Sequence, residues 1–252
     1  MNLSRSLFAL ALAACALPVL AEEAAPADPL SFNLGVFSEY RYRGISQTRL
    51  QPALQAGADY VDPSGFYVGT WASTIKWIKD AGGDAQVEID LYGGYKKEVA
   101  PGLTLDVGVL QYYYPSNKLG KVAGFVNADT FELYGALSYG PVTAKYSHST
   151  SNLFATPNSK NSGYLDVTAN FDLAAYGFEG VTLSPHIGHQ TVKKNAAASY
   201  TDYSLTLAKD FSGLVLSGAV IGTDADKTFY ASPANGKFMG KTMLVVGLKK
   251  TF

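Results

Sequence analysis

From Ser31 onward, apolar and polar residues alternate with a period of two, the signature of strands with one apolar face. Phe32, Leu34, Val36, Tyr40 and Tyr42 alternate with Asn33, Gly35, Glu39, Arg41 and Arg43. Val87, Ile89, Leu91 and Tyr95 alternate with Glu88, Asp90, Tyr92 and Lys96, and Leu165, Val167 and Phe171 with Asp166, Thr168 and Asn170. The same period runs through 103–109, 131–139, 142–147, 181–187, 203–207 and 244–249, and less cleanly through 52–61, 65–78 and 214–223. The pattern predicts about twelve strands, and no stretch of ten residues reads as a helix.

The connections alternate in length. Asp62-Pro63-Ser64-Gly65, Ala100-Pro101-Gly102, Gly140-Pro141 and Ser212-Gly213 are short and carry strong turn formers. Between them lie longer polar segments at 44–51, 79–84, 115–128, 151–162, 193–199 and 224–240. The connection 172–180 is the exception, long where a short turn is expected. Short turns alternating with long loops over an even number of strands predict an all-β, antiparallel up-and-down barrel of the outer-membrane type. The apolar face of each strand would meet lipid and the polar face would line the lumen. Closure is required because unpaired backbone groups are costly in hydrocarbon.

Composition agrees. Charged residues make up 16% of the 252 residues, against roughly 25% in soluble domains. The net charge of −1 gives no basic excess for nucleic acid. Past residue 22 no apolar run is long enough for a membrane helix. An aromatic surplus of 17 Tyr and 13 Phe suits the girdles of a membrane barrel, and Tyr40, Tyr42, Tyr60, Tyr112, Tyr113, Tyr114, Tyr139 and Trp77 are expected there.

Residues 1–21 read as a secretory signal peptide: Arg5, an apolar stretch from Ser6 to Leu20, and small-residue cleavage after Ala21. Leu12-Ala13-Ala14-Cys15 resembles a lipoprotein box, but cutting there would leave an apolar new terminus. Residues 22–30 are a flexible leader and 31–252 the barrel. The mature chain has no cysteine, so disulfides play no part in its expected stability. Phe252 ends an alternating strand (Leu244, Val246, Leu248), like the signal that outer-membrane barrels offer to their insertion machinery; Lys250 departs from that pattern.

The stretch Ser38-Glu39-Tyr40-Arg41-Tyr42-Arg43-Gly44-Ile45-Ser46-Gln47-Thr48, followed by Gln51-Pro52-Ala53-Leu54-Gln55-Ala56-Gly57, resembles the opening signature of the TorF family of porin-like proteins, also called Gcw_chp proteins. Glu88–Tyr95, Ser162–Asp166, His186–Thr191, Tyr200–Tyr203 and Lys209–Phe211 continue the similarity over nearly the whole mature chain. The resemblance implies an outer-membrane barrel with a pore-like role, and brings no catalytic residue, cofactor or known substrate.

Alternation places Glu39, Arg41, Arg43, Glu88, Asp90, Glu132, Lys145, Asp166 and His186 on the lumen face, with Lys96, Asp106, Asp202, Lys241 and Lys249. Both signs are present. They could line a narrow aqueous path or pair across strands and fill the lumen, and twelve strands lie between the filled eight-stranded and the open sixteen-stranded barrel. Glu39, Arg41 and Arg43 share one face and suggest an internal ion-pair ladder. His148 and His189 fall on the lipid face near the long loops, where a lipid-modifying enzyme would work. Ser149 points the opposite way from His148, so no nucleophile accompanies it. His186 and His189 lie on opposite faces and would not share a metal. The expected function is a non-enzymatic, cofactor-free outer-membrane channel for passive diffusion of small hydrophilic solutes. Outer-membrane lipid and the insertion machinery are its expected partners, and the long loops, from Gly44–Gln51 onward, its constriction. A filled structural or adhesive barrel, a lipid-modifying barrel and a soluble periplasmic β-sandwich are the alternatives.

Overall fold

The computed structural model describes residues 29–252. The expected signal peptide and most of the leader lie outside the described residues. The alternating segments fold, in chain order, as β1 (Leu30–Phe37), β2 (Arg41–Tyr42), β3 (Ile45–Ser46), β4 (Ala53–Val61), β5 (Phe66–Thr74), a single helical turn α1 (Trp77–Asp80), β6 (Val87–Ala100), β7 (Leu103–Tyr113), β8 (Thr130–Tyr139), β9 (Val142–Ser149), β10 (Gly163–Ala169), β11 (Phe171–Asp172), β12 (Val181–Thr191), β13 (Tyr200–Asp210), β14 (Leu214–Thr223) and β15 (Met243–Thr251).

Twelve of these strands pair antiparallel, each with its neighbours in the chain, and β1 returns to β15 to close the ring. The seam runs from Asn33↔Thr251 to Phe37↔Gly247, and Phe252 continues it by exchanging two backbone hydrogen bonds with Phe32. The short β11 extends the line of β10 past Asn170, and both pair with β12. The small β2–β3 pair is separate from the ring. The expected antiparallel barrel of twelve strands is therefore present, and a sandwich is excluded by the unbroken circuit of hydrogen bonds.

Connection lengths alternate as the sequence indicates. Residues 62–65, 101–102, 140–141 and 211–213 turn at one end; 38–52, 75–86, 114–129, 150–162, 192–199 and 224–242 form long loops at the other. The exceptional connection after β11 contains a 3-10 turn at Ala174–Tyr176 and leaves it through Gly177 at φ 88°. That is a left-handed conformation that costs glycine little.

The ring's outer face is apolar. Leu34, Val36, Leu54, Val68, Leu91, Leu133, Leu165, Ile187, Leu205 and Leu244 are all exposed, far more large apolar surface than a water-facing wall carries. Facing inward between them are the polar partners, many of them buried.

Three expectations about aromatics need correction. Tyr40 and Tyr42 do not continue β1 along the lipid face: the wall ends at Phe37 and the chain turns into the lumen, where both are buried. Tyr112 and Tyr114 also point inward and are buried, leaving Tyr113 to face outward, because Val107 and Val109 fix the outward parity of β7. Trp77 sits on α1 and packs edge-on to Tyr114, within the loop core rather than on the outer wall. Tyr60 and Tyr139 are exposed on the outer face near the short turns.

The inward tyrosines explain several strand glycines. Tyr67 lies across Gly94, Tyr134 across Gly108 and Tyr92 across Gly69, each pair directly opposite in register. A Cβ on any of these glycines would overlap the ring above it. The rings lie flat along the wall only because the facing residue has no side chain.

Candidate functional site

The segment after β1 shapes the interior. Buried Glu39 and Tyr40 lead into the β2–β3 hairpin, which turns through Arg43 (φ 46°) and Gly44 (φ 77°). A side chain at Gly44 would collide with Thr223 and Asp202 of the opposite wall. Glycine's conformational freedom and its lack of bulk are both needed at this tip. The hairpin carries two guanidiniums, Arg41 and Arg43, into the interior, where an unpaired charge is costly. Folded inward, both find acceptors.

Arg43 is the latch. Its Nη2 donates to both carboxylate oxygens of Glu132, at 3.0 and 2.8 Å, and its Nη1 donates to Gln190 Oε1 at 2.6 Å. The guanidinium lies 4.2 Å from the ring centroid of Tyr164 and 4.7 Å from that of Tyr42. Burial works against its charge, but Glu132, then Tyr42 and Tyr112, outweigh that, and its pKa stands well above the ordinary arginine value. Tyr42 and Tyr112 share a 2.5 Å hydroxyl contact, and Tyr112 donates to Glu132 at 3.2 Å. Arg41 Nη2 meets Glu39 at 3.0 Å, and Arg41 Nη1 donates to Gly44 O at 3.0 Å. The expected ladder is thus half formed: Arg41 takes Glu39, while Arg43 crosses to the far wall.

At the hairpin base Tyr40 donates to Glu88 at 2.7 Å. Burial, then Glu88 and Asp90, hold the Tyr40 hydroxyl well above its ordinary pKa, so it remains a donor. Tyr40, Tyr42, Tyr112, Tyr114, Leu110 and the loop residues Ile78, Leu119, Ala128 and Ala155 form one apolar cluster across the long-loop mouth. A second cluster joins Ile45 to Tyr200, Ala225 and Met239. The expected constriction at Gly44–Gln51 therefore begins earlier, at Glu39, and most of it lies inside the barrel.

Beyond the hairpin the wall is ionic. One hydrogen-bonding row climbs Lys96, Asp106, Ala136, Lys145, Asp166, Gly188 and Asp202 over seven strands, with opposite charges at neighbouring or near-neighbouring positions from Lys96 to Asp166 and two carboxylates, Asp166 and Asp202, flanking Gly188. His186 sits between Asp166 and Asp202, at 3.1 and 2.9 Å, and Thr168 Oγ1 lies 3.0 Å from its Nδ1. Lys145 Nζ lies 4.1 Å over the Tyr134 ring. Tyr67 donates to Asp106 at 2.6 Å. Asp166 and His186 are 25% and 17% exposed, whereas the latched Glu132 is at 2%. One stretch of the lumen is accessible and the other is sealed.

All nine singled-out residues lie inside the barrel. The structure brings Glu39 to Arg41, Arg43 to Glu132, and Asp166 to His186; Glu88 and Asp90 lie beside the hairpin base, and Asp90 Oδ1 is buried without a hydrogen-bond partner. Lys241 belongs to the last long loop and is exposed. Tyr164 and Gln190 complete the latch and were not singled out. Their place depends on strand register, which no local motif encodes. His148 and His189 face outward, bonded to Asn161 and Thr201 at 3.3 and 3.0 Å, and neither contacts a serine hydroxyl. No metal-binding cluster is present among the described residues.

A family profile described as "Bacterial protein of unknown function (Gcw_chp)" matches residues 21–252. The chain belongs to the Gcw_chp family. No curated protein matches this Gcw_chp chain. Among solved structures it is similar to a KdgM porin in complex with disordered oligogalacturonate, with TM-score 0.54 and 8% identity over 88% of this chain and 98% of that one. It also matches OprD of Pseudomonas aeruginosa, with TM-score 0.42 and 12% identity over 91% of this chain and 68% of that one. At such identities the KdgM likeness shows the fold alone, a closed antiparallel β-barrel of the porin type.

Proposed function

We propose that this Gcw_chp protein is an outer-membrane channel for passive diffusion of small hydrophilic solutes, narrowed by the hairpin from Glu39 to Thr48. The observation that carries the reading is the half-buried ionic row from Lys96 to Asp166 on the inner wall, which reaches water at Asp166, a lining with little use in a dry interior. Mixed signs favour neutral or zwitterionic solutes over a single ion class. The apolar band sits in the bilayer, the short turns face the periplasm and the long loops face outward, as in other barrels of this kind. The porin role is also what the TorF resemblance implies.

The sealed mouth favours a second reading, a barrel whose lumen is filled and does not conduct. Planar-bilayer recording separates them. The channel reading expects small conductance steps from the native protein, and larger steps once residues 39–48 are replaced by a short Gly-Ser linker. Silence from both proteins, with both folded and inserted, would select the filled barrel.

A further inference from the structure

The two loops that flank β10 and follow β12 differ from the other long loops. Residues 150–162 and 192–199 contain Lys160, Lys193 and Lys194 and no acidic residue. All three lysines are exposed. The other long loops mix both signs: Lys118 pairs with Asp84, and Arg49 with Asp80 at 3.2 Å. Among the described residues none of the three lysines is in an ion pair.

The three share one stretch of wall with His148 and His189. Gly163 of β10 lies opposite His148 on one side and Thr191 on the other, and Leu165 lies opposite His189. Asn161, next to Lys160, contacts His148, and the Lys193 backbone N–H donates to Ser162 Oγ at 3.1 Å. Two strand spacings of about 4.8 Å bring both edges of this patch within a lipid headgroup's width. Directly beneath it are the lipid-facing Tyr146, Leu165 and Ile187. Polar donors therefore begin where the exposed apolar band stops.

We propose that this face binds the phosphates of an anionic glycolipid of the outer leaflet, a diphosphorylated lipid A. Lys160, Lys193 and Lys194 would meet the phosphates, with the outward imidazoles and Asn161 as further hydrogen-bonding groups. The proposal rests on the outer-membrane reading above. Charge complementarity selects the occupant: the two loops carry three lysines and no acid, with Asp224 at the Thr201 edge the nearest carboxylate, and they border hydrocarbon, so an amphiphile with clustered phosphates satisfies both halves.

The test uses folded, detergent-purified full-length mature protein and native mass spectrometry with lipid A, a neutral phosphatidylcholine and inorganic phosphate as separate probes. Insertion into phosphatidylcholine vesicles is measured in parallel. Lipid A is expected to be retained over phosphatidylcholine. The triple variant K160Q/K193Q/K194Q is expected to weaken its binding by at least roughly tenfold, given typical contributions of basic residues at an anionic surface. The control triple K118Q/K121Q/K237Q is expected to leave it unchanged. Equal loss in both triples, no preference for lipid A, or displacement by millimolar inorganic phosphate would each overturn the proposal. Failure to insert into vesicles would instead sink the membrane reading on which it rests.

Discussion

At the level of single residues, the interior is built on charges whose value depends on their partners. Glu132 is sealed from water and is held by Arg43 and Tyr112. Removing one partner of such a pair leaves the other buried and uncompensated, at about 3–5 kcal/mol. Arg43→Ala is therefore expected to lower the denaturation midpoint of the folded protein markedly. Adding Glu132→Gln should restore much of the loss, because the stranded charge is then gone. A double-mutant series followed by unboiled-gel mobility against temperature checks this; an additive double variant would show that the two do not interact. Glycines make the complementary case. Gly108→Leu is expected to displace the Tyr134 ring and to cost about 1–3 kcal/mol or block folding. Gly135→Ala, one strand position beyond Tyr134 and open on its Cβ side, should be silent in the same assay.

At the level of elements, the β2–β3 hairpin and the wall have separable roles. The wall's hydrogen bonds pass from β1 directly to β4 and do not use the hairpin. Replacing residues 39–48 by Gly-Ser should therefore leave a closed barrel, with lower thermal stability because the mouth cluster loses Tyr40 and Tyr42. A folded variant with unchanged melting would show that the hairpin contributes no packing. The wall was legible in the sequence because strand parity is local: Val107 and Val109 outward force Asp106 and Tyr112 inward. The hairpin was not. Glu39 to Arg43 alternates as cleanly as any strand, and only the structure shows that the segment leaves the wall, through the direct β1–β4 pairing and the crowding at Gly44 against Asp202 and Thr223. Period two reports a strand, not which surface it joins. In the same way the latch partners Gln190 and Tyr164 became identifiable only once register set them beside each other and the hairpin carried Arg43 to them.

At the level of the whole molecule, closure governs stability. Every ring strand has two partners, so no edge remains to fray or to recruit another chain. The folded protein is expected to resist SDS at room temperature and to shift in gel mobility only after boiling. A single mobility before and after heating would count against a closed barrel. The composition also becomes intelligible at this scale. A low charge fraction and the lack of any apolar run follow from placing one residue in two against lipid and keeping charge to the inner wall, the loops and the short-turn ends of strands, where Lys97, Lys209 and Lys250 lie.

The seam between β1 and β15 also sets an order of assembly. Leu30–Phe37 must wait for Met243–Thr251, made more than two hundred residues later. Contacts so distant in sequence form slowly. The hairpin follows β1 immediately, yet Arg43 must wait for Glu132 and Gln190, which lie 89 and 147 positions further on. A growing sheet therefore carries an unlatched cationic tip until β8 and β12, the sixth and ninth strands of the ring, arrive. Both latch partners are thus made before β13 to β15, so the capture of Arg43 can precede the joining of the two edges, and the lumen can be sealed on one side before the wall is closed.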